Sequence, residues 1–367
     1  METTSDRAVV IRRRLGLGSV IVGLMLLSAP AYALSFKFNA TAETTQQVKD
    51  SFAAAGARWS SIFDDNVEIN INIDYKHLGA NILGQASSRH VYTDYSTLRG
   101  QLIADQTSAL DATAVAHLQT GPLYGKLINA TPEHPGLTPV YSTDDNTSNG
   151  YIWTSSANLK ALGFTGFGNV ADASISFSSD FNFDFDPSDG ISANAIDLVG
   201  VATHEIGHAL GFISNVDWLD AYPNQINEYY LNTSSTVLDL FRYSYYNGQT
   251  LNDFTIGDPS RTRYFSVDGG LTDLGDFSVG AYNGDGRQAS HWKDNLGIGI
   301  MDPTFSYGEL GQITSRDISA LDAIGWDVHQ NSVPDSAPLS ALVLTLLGLT
   351  GLQRFVARRN SVQSARA

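Results

Sequence analysis

Between Asn194 and Leu210 an apolar repeat at helical spacing, Ile196, Val199, Ala202, Ile206 and Leu210, encloses two histidines and a glutamate. His204, Glu205 and His208 therefore ride on a helix that the rest of the chain has to bury. Residues four apart stand one turn above each other, so both imidazoles project from one face. A buried His-Glu-His face with nothing to bind would strand polar groups in an apolar interior. The fold must supply a partner for these three side chains. Gly211, just past the last apolar position, is a common helix terminator.

His204-Glu205-Ile206-Gly207-His208 has the spacing of the zinc signature His-Glu-x-x-His, in which two imidazoles share one ion and the glutamate acts as base. The pattern runs on as His-Glu-x-x-His-x-x-Gly-Phe to Phe212. A catalytic zinc takes three protein ligands and keeps one position open. The short form of the pattern would put the third ligand at Ser214, a poor zinc ligand. Two candidates remain: Asp217, close in sequence, and His291 within Ser290-His291-Trp292-Lys293. His77, His90, His117, His134 and His329 lack metal spacing and read as structural or exposed. Asn182, Asp184 and Asp186 imitate the start of a calcium loop, but Pro187 replaces the required Gly and Ala193 stands where the bidentate Glu belongs. That excludes an EF-hand and leaves either a simple turn or a different Ca2+ site using Asp184, Asp186 or Asp189.

Elsewhere the body carries both helical and extended patterns, and an α+β fold is the expectation, in keeping with the resemblance given below. Val48, Phe52, Ala55, Trp59 and Ile62 recur at helical steps, and Val67, Ile69, Ile71, Ile73 and Tyr75 alternate as in a half-buried strand. Ile175, Phe177, Phe181, Phe183 and Phe185 read as a second alternating stretch, closed by the turn residues 186–190. This Phe-rich strand, lying just before the active helix, is expected to be the edge along which an extended peptide adds. Residues 212–290, rich in Tyr, Asn, Asp and Gly, read as mixed strand and loop. Thr314 predicts a helix N-cap with Asp317 completing the capping pair; Ile318, Leu321 and Ile324 form the buried stripe and Gly325 ends it.

The segments 204–212, 290–293, 300–303 and 313–326 together resemble the leishmanolysin-type metzincins. In that family an insertion separates the glycine from the third histidine, which a Ser-His-Trp segment supplies; a Met-Pro-like turn then passes under the zinc, and a helix ends near Gly-aromatic. The resemblance covers under a tenth of the chain. It implies a twisted mixed sheet, Zn2+ held by His204, His208 and His291, Glu205 as catalytic base, and Met301 as the Met-turn residue. The disulfides of that family are absent, since the chain has no cysteine. Tyr307 would stabilise an oxyanion if it faces the site.

Both ends read as addresses. Arg12, Arg13 and Arg14, the apolar run Leu15–Leu27 and Ala31-Tyr32-Ala33 have the form of a secretory signal peptide over 1–33, with cleavage expected after Ala33. Val333-Pro334-Asp335-Ser336, an apolar run from Ala337 to Leu352, and Arg354, Arg358 and Arg359 resemble a PEP-CTERM sorting signal of Gram-negative bacteria over 333–367, although Ala337 stands where that variant usually has Gly. The implied partners are a signal peptidase, an exosortase-type enzyme and, transiently, the membrane. The −16 net charge includes +2 on residues 1–33 and +3 on 335–367, so the body between them carries −21. Such a body repels phosphate backbones, which argues against nucleic acid. The expectation is an exported zinc metallopeptidase domain over 34–332 acting on protein or peptide. The competing expectation is a surface-displayed zinc-binding protein without turnover.

Overall fold

The structure is a computed structural model and describes residues 34–79, 82–129, 138–225 and 233–329. The signal-peptide and sorting-signal assignments, and His134, lie outside the described residues. Among the described residues no helix is long and apolar enough to cross a membrane.

The chain enters as strand β1 (Ser35–Ala40), helix α1 (Gln46–Ser60), β2 (Glu68–Lys76), β3 (Gly84–Ser88) and β4 (His90–Asp94). Helices α2 (Tyr95–Ala104) and α3 (Ala109–His117) follow, then β5 (Lys126–Asn129), β6 (Pro139–Ser142), the single turn α4 (Thr147–Gly150), β7 (Tyr151–Ser155) and α5 (Ser156–Ala161). Next come β8 (Ala173–Ser178), the short strands β9 (Phe183–Asp184) and β10 (Ile196–Asp197), the central helix α6 (Leu198–Leu210) and α7 (Val216–Ala221). β11 (Arg242–Tyr246), β12 (Gln249–Phe254), β13 (Arg263–Phe265), β14 (Asp276–Phe277) and α8 (Ser315–Ala323) complete an α+β fold.

Two sheets position the site. The first has the order β1-β2-β8-β3, with β1, β2 and β8 parallel and β3 antiparallel at the edge. The alternation in β2 does what its period demands: Ile69, Ile71 and Ile73 are all buried. They join Phe52 and Trp59 of α1, Phe177 of β8, and Ala202, Ile206 and Leu210 of α6 in one core that extends to Leu321 and Trp326. The polar tips of two of the buried tryptophans are satisfied by the central helix, Trp59 Nε1 donating to Thr203 O and Trp326 Nε1 to Leu210 O, each at 2.9 Å. The second sheet, β14-β13-β11-β12-β5-β6, organises the region that the sequence marks as mixed strand and loop.

Three expectations need correction, and one cause accounts for the first two. The alternating stretch 175–185 is not one strand: β8 stops at Ser178, whose hydroxyl accepts from Asp180 N at 3.3 Å and starts a turn. After the turn Phe183–Asp184 pair in parallel with Ile196–Asp197, which keeps residues 194–197 out of the helix. The helix therefore starts at Leu198, with Asp197 as N-cap accepting from Gly200 N at 2.7 Å. Nor does the Phe-rich stretch form an edge of the first sheet: β8, which carries Phe177, is paired on both sides with β3 as the edge beside it, and β9, which carries Phe183, pairs only with β10.

Candidate metal centre and active site

His204 and His208 leave one face of α6 a turn apart, with their ring planes at 86°. His291 reaches them from a segment bridged to β14, the edge strand of the second sheet. Its carbonyl accepts from Ser278 N at 3.0 Å, just past β14, and Trp292 N donates to Met301 O at 3.0 Å. The three Nε2 atoms form a nearly equilateral triangle, 3.1 Å between His204 and His208 and 3.2 Å from each to His291.

The opposite ring nitrogens define the tautomers. His204 Nδ1 lies 2.8 Å from Ile300 O, His208 Nδ1 2.8 Å from Phe212 O, and His291 Nδ1 3.3 Å from Gln288 O. A carbonyl only accepts, so each Nδ1 carries the proton and each Nε2 presents a lone pair. Burial holds the rings neutral, with the His204 pKa down at about 3, His208 at about 4 and His291 well below its ordinary value. Three lone pairs converging at this range repel one another unless a cation sits among them. Tetrahedral bonds of about 2.0–2.1 Å to nitrogen require roughly 3.3–3.4 Å between ligand atoms, close to the spacing found. The triad can hold a metal ion, and it is the group of three or more metal-binding side chains that converges among the described residues.

Glu205 is buried beside the triad, and burial pushes its carboxyl up to about 8, a rise that a cation on the triad would oppose. It accepts no hydrogen bond from the described protein and faces a cavity of about 980 Å³. The opposite wall is β3. A Cβ at Gly84 would lie 2.8 Å from Phe177 Cε1 and 3.1 Å from Glu205 Oε1, so the backbone there must be glycine for the carboxylate to keep its place.

Asp217 is not a third ligand. Its carboxylate accepts from Ala289 N at 2.5 Å, from Ser290 N at 3.2 Å and from the Ser290 hydroxyl, and so fixes the loop that carries His291. Ser214, at the short-pattern position, donates its hydroxyl to Asp239 at 2.5 Å. Asp317 combines its helix-capping role with a second one. Besides Thr314 N, its carboxylate accepts from Trp292 Nε1 at 2.8 Å, Ile300 N at 2.9 Å and Met301 N at 3.2 Å. One carboxylate thus ties the residue after His291 to the turn whose Ile300 carbonyl orients His204. Met301 is fully buried and lies under the central helix against Gly207. Tyr307 lines the cavity at 58 % exposure.

The acids named for a Ca2+ site, Asp184, Asp186 and Asp189, do not converge as a group of metal ligands, and two of them are engaged in a turn. Asp184 accepts from Ser192 N and Oγ at 2.9 and 2.8 Å and from Asp186 N at 3.2 Å, and Asp186 accepts from Ser188 N at 3.0 Å. Of the remaining described histidines, His77 and His329 pair with Asp180 and Asp64, His117 bonds the Thr113 carbonyl within its own helix, and His90 stacks on Trp153. Gly84 and the clamping roles of Asp217, Asp239 and Asp317 have no local signature; only the capping pattern marked Asp317 at all. Comparison of the chain with known protein families, with characterised proteins and with solved structures returned no match.

Proposed function

We propose that the chain is a zinc-dependent peptidase in which His204, His208 and His291 hold the metal and Glu205 is the catalytic base. The observation that carries this reading is the convergence of three Nε2 lone pairs beside a buried, unpartnered carboxylate that faces an open cavity. Soft thiolates are absent and the donors are all imidazole, a set that suits zinc. Zinc supplies Lewis acidity, polarising a peptide carbonyl and making water acidic enough to attack near neutral pH. Glu205 takes the proton that water loses as it adds to the carbonyl carbon, holds it at a carboxylate oxygen, and delivers it to the leaving nitrogen. The Nδ1 hydrogen bonds keep the three imidazoles in the ligating tautomer throughout.

The edge strand supports an extended substrate. Leu83 O accepts from Ser178 N and Arg89 N donates to Asp172 O, so the odd-numbered residues of this segment pair toward β8. By alternation the N–H and C=O groups of Gly84, Ala86 and Ser88 turn outward, toward the cavity side, where a peptide can add as a further strand. Export through the N-terminal segment, sorting through residues 333–367, and a cell-surface or secreted location complete the proposal; they rest on sequence pattern alone.

The test compares the zinc-loaded chain with Glu205→Gln on an unstructured protein. The variant should bind zinc with unchanged stoichiometry and lose at least about 100-fold in turnover. Turnover close to the parent's would remove Glu205 as base, and a folded parent that binds no zinc would end the metal reading.

A further inference from the structure

We propose that Arg287 gives this cleft a preference for peptides that carry a carboxylate close to the scissile bond, an inference that rests on the peptidase reading of the same cavity. Among the described residues lining the cavity, Arg287 is the one permanent cation. It stands four residues before His291, on the loop that brings that imidazole to the triad. Neither of the two acids lining the cavity pairs with it; its ion-pair partner is Asp294, outside the lining, with Nε 2.9 Å from Oδ2. The Asp217 carboxylate is taken up by Ala289 and Ser290, and Glu205 belongs to the reacting centre.

The side chain is held with part of its hydrogen-bonding capacity in reserve. Arg287 Nε donates to Asp294 Oδ2 at 2.9 Å, while its Nη atoms have no partner among the described residues. Asp294 is itself fixed, its other oxygen accepting from Thr304 Oγ1 at 3.1 Å, and Thr304 lines the same cavity. The backbone is fixed as well: Arg287 O accepts from Gly280 N at 3.0 Å, and Asp217 clamps the next residues but one. Asp285 accepts from Val279 N and Arg287 N and faces Lys293 at 3.8 Å, so of the two nearby carboxylates only Asp294 meets the guanidinium. A guanidinium anchored through Nε still presents four N–H donors in a plane, the fork that suits a carboxylate. In a body of −21 net charge, a guanidinium on the wall of the cleft favours an approaching carboxylate through the donors that its pair with Asp294 leaves free.

The carboxylate can come from an Asp or Glu side chain or from the end of a peptide, and the two sources separate experimentally. The zinc-loaded full chain is assayed at low ionic strength on peptides identical except for Glu against Gln, moved through the positions on both sides of the scissile bond. A second pair differs only in a C-terminal carboxylate against an amide. At one position the Glu peptide should be cleaved with kcat/KM at least about 10-fold above its Gln partner. The ratio should collapse in Arg287→Gln, survive in part in Arg287→Lys, invert toward a Lys peptide in Arg287→Glu, and shrink at ~0.5 M salt. A preference confined to the second pair assigns the chain end as the ligand. A parent ratio near one for both pairs, or a ratio that persists in Arg287→Gln, overturns the proposal. The same peptides are titrated against zinc-loaded Glu205→Gln, with affinity as the readout. Selective binding without cleavage by the parent would leave this inference standing and remove the peptidase reading; unselective cleavage would do the reverse, and neither cleavage nor selective binding removes both.

Discussion

Glu205 keeps its position because the strand opposite has no side chain to displace it. With a Cβ at Gly84 lying 2.8 Å from Phe177 Cε1 and 3.1 Å from Glu205 Oε1, either the buried ring or the carboxylate has to move. Phe177 is fully buried in the core and yields less readily than a group facing the cavity. Gly84→Ala should therefore lower kcat by roughly 10-fold or more through a displaced base, cost about 1–3 kcal/mol by overpacking, and leave zinc stoichiometry unchanged. Parent-like kcat in the folded variant would show that the carboxylate tolerates the shift. At this scale the sequence was legible where chemistry is local. His204, Glu205 and His208 follow from a four-residue spacing on a helix. His291 does not: it arrives from 83 positions beyond His208, and only the family resemblance of Ser290-His291-Trp292, not a spacing, favours it over Asp217. What separates the two is the direction each side chain takes, and no spacing rule states that.

Helices and strands with a strict period were the legible elements, and the irregular connections between them were not. α1, β2 and α8 appear where their apolar periods place them, and the Thr314–Asp317 capping box is present in full. The stretch 175–185 misled because alternation continued through a turn that Ser178 and Asp180 created. In the second sheet, Asn247-Gly248 joins β11 to β12 as a two-residue hairpin, a strong local signal lying inside a region that offered no clear period. The start of α8 shows how one element governs the site. Asp317 at its N3 position accepts from Thr314, Trp292, Ile300 and Met301. Removing it leaves several buried donors without partners, at about 1–3 kcal/mol each. Asp317→Ala should thus destabilise the chain by at least ~3 kcal/mol in denaturant unfolding and weaken zinc retention against a chelator. Asp322→Ala, one turn and more along the same helix, should leave zinc retention alone. Equal zinc loss in both variants would mean that Asp317 acts only through helix stability.

On the scale of the whole molecule, the far end of the core collects carboxylates from separate parts of the chain. Asp65 follows α1, Asp105 ends α2, Asp322 lies on α8, and Asp327 is close to the last described residue. Asp65 accepts from Asp327 N at 3.0 Å, Asp327 from Thr107 Oγ1 at 2.7 Å, and Asp322 from Ser108 Oγ at 3.0 Å. Burial, reinforced by neighbouring carboxylates, pushes Asp65 and Asp322 up to about 8 and Asp105 up to about 7. These folded values lie above the ordinary carboxylate range of about 4, so the folded state binds more protons than the unfolded one at intermediate pH. Their contribution is then complete in acid and is lost as pH rises through about 7 to 8. The buried imidazoles of the triad act in the opposite sense, since unfolding lets them take up protons below about pH 6.5. Stability should consequently stop rising by about pH 6.5 and fall on the alkaline side, with Tm at least about 3 °C lower at pH 9 than at pH 6.5. Asp322→Asn keeps an acceptor for Ser108 and removes a charge, so it should flatten the alkaline limb. An alkaline limb as steep in Asp322→Asn as in the parent would mean that other groups set the pH dependence. A flattened limb would instead mean that the two ends of the core respond to pH separately, the triad through proton uptake by its imidazoles on unfolding and the carboxylates through their shared burial.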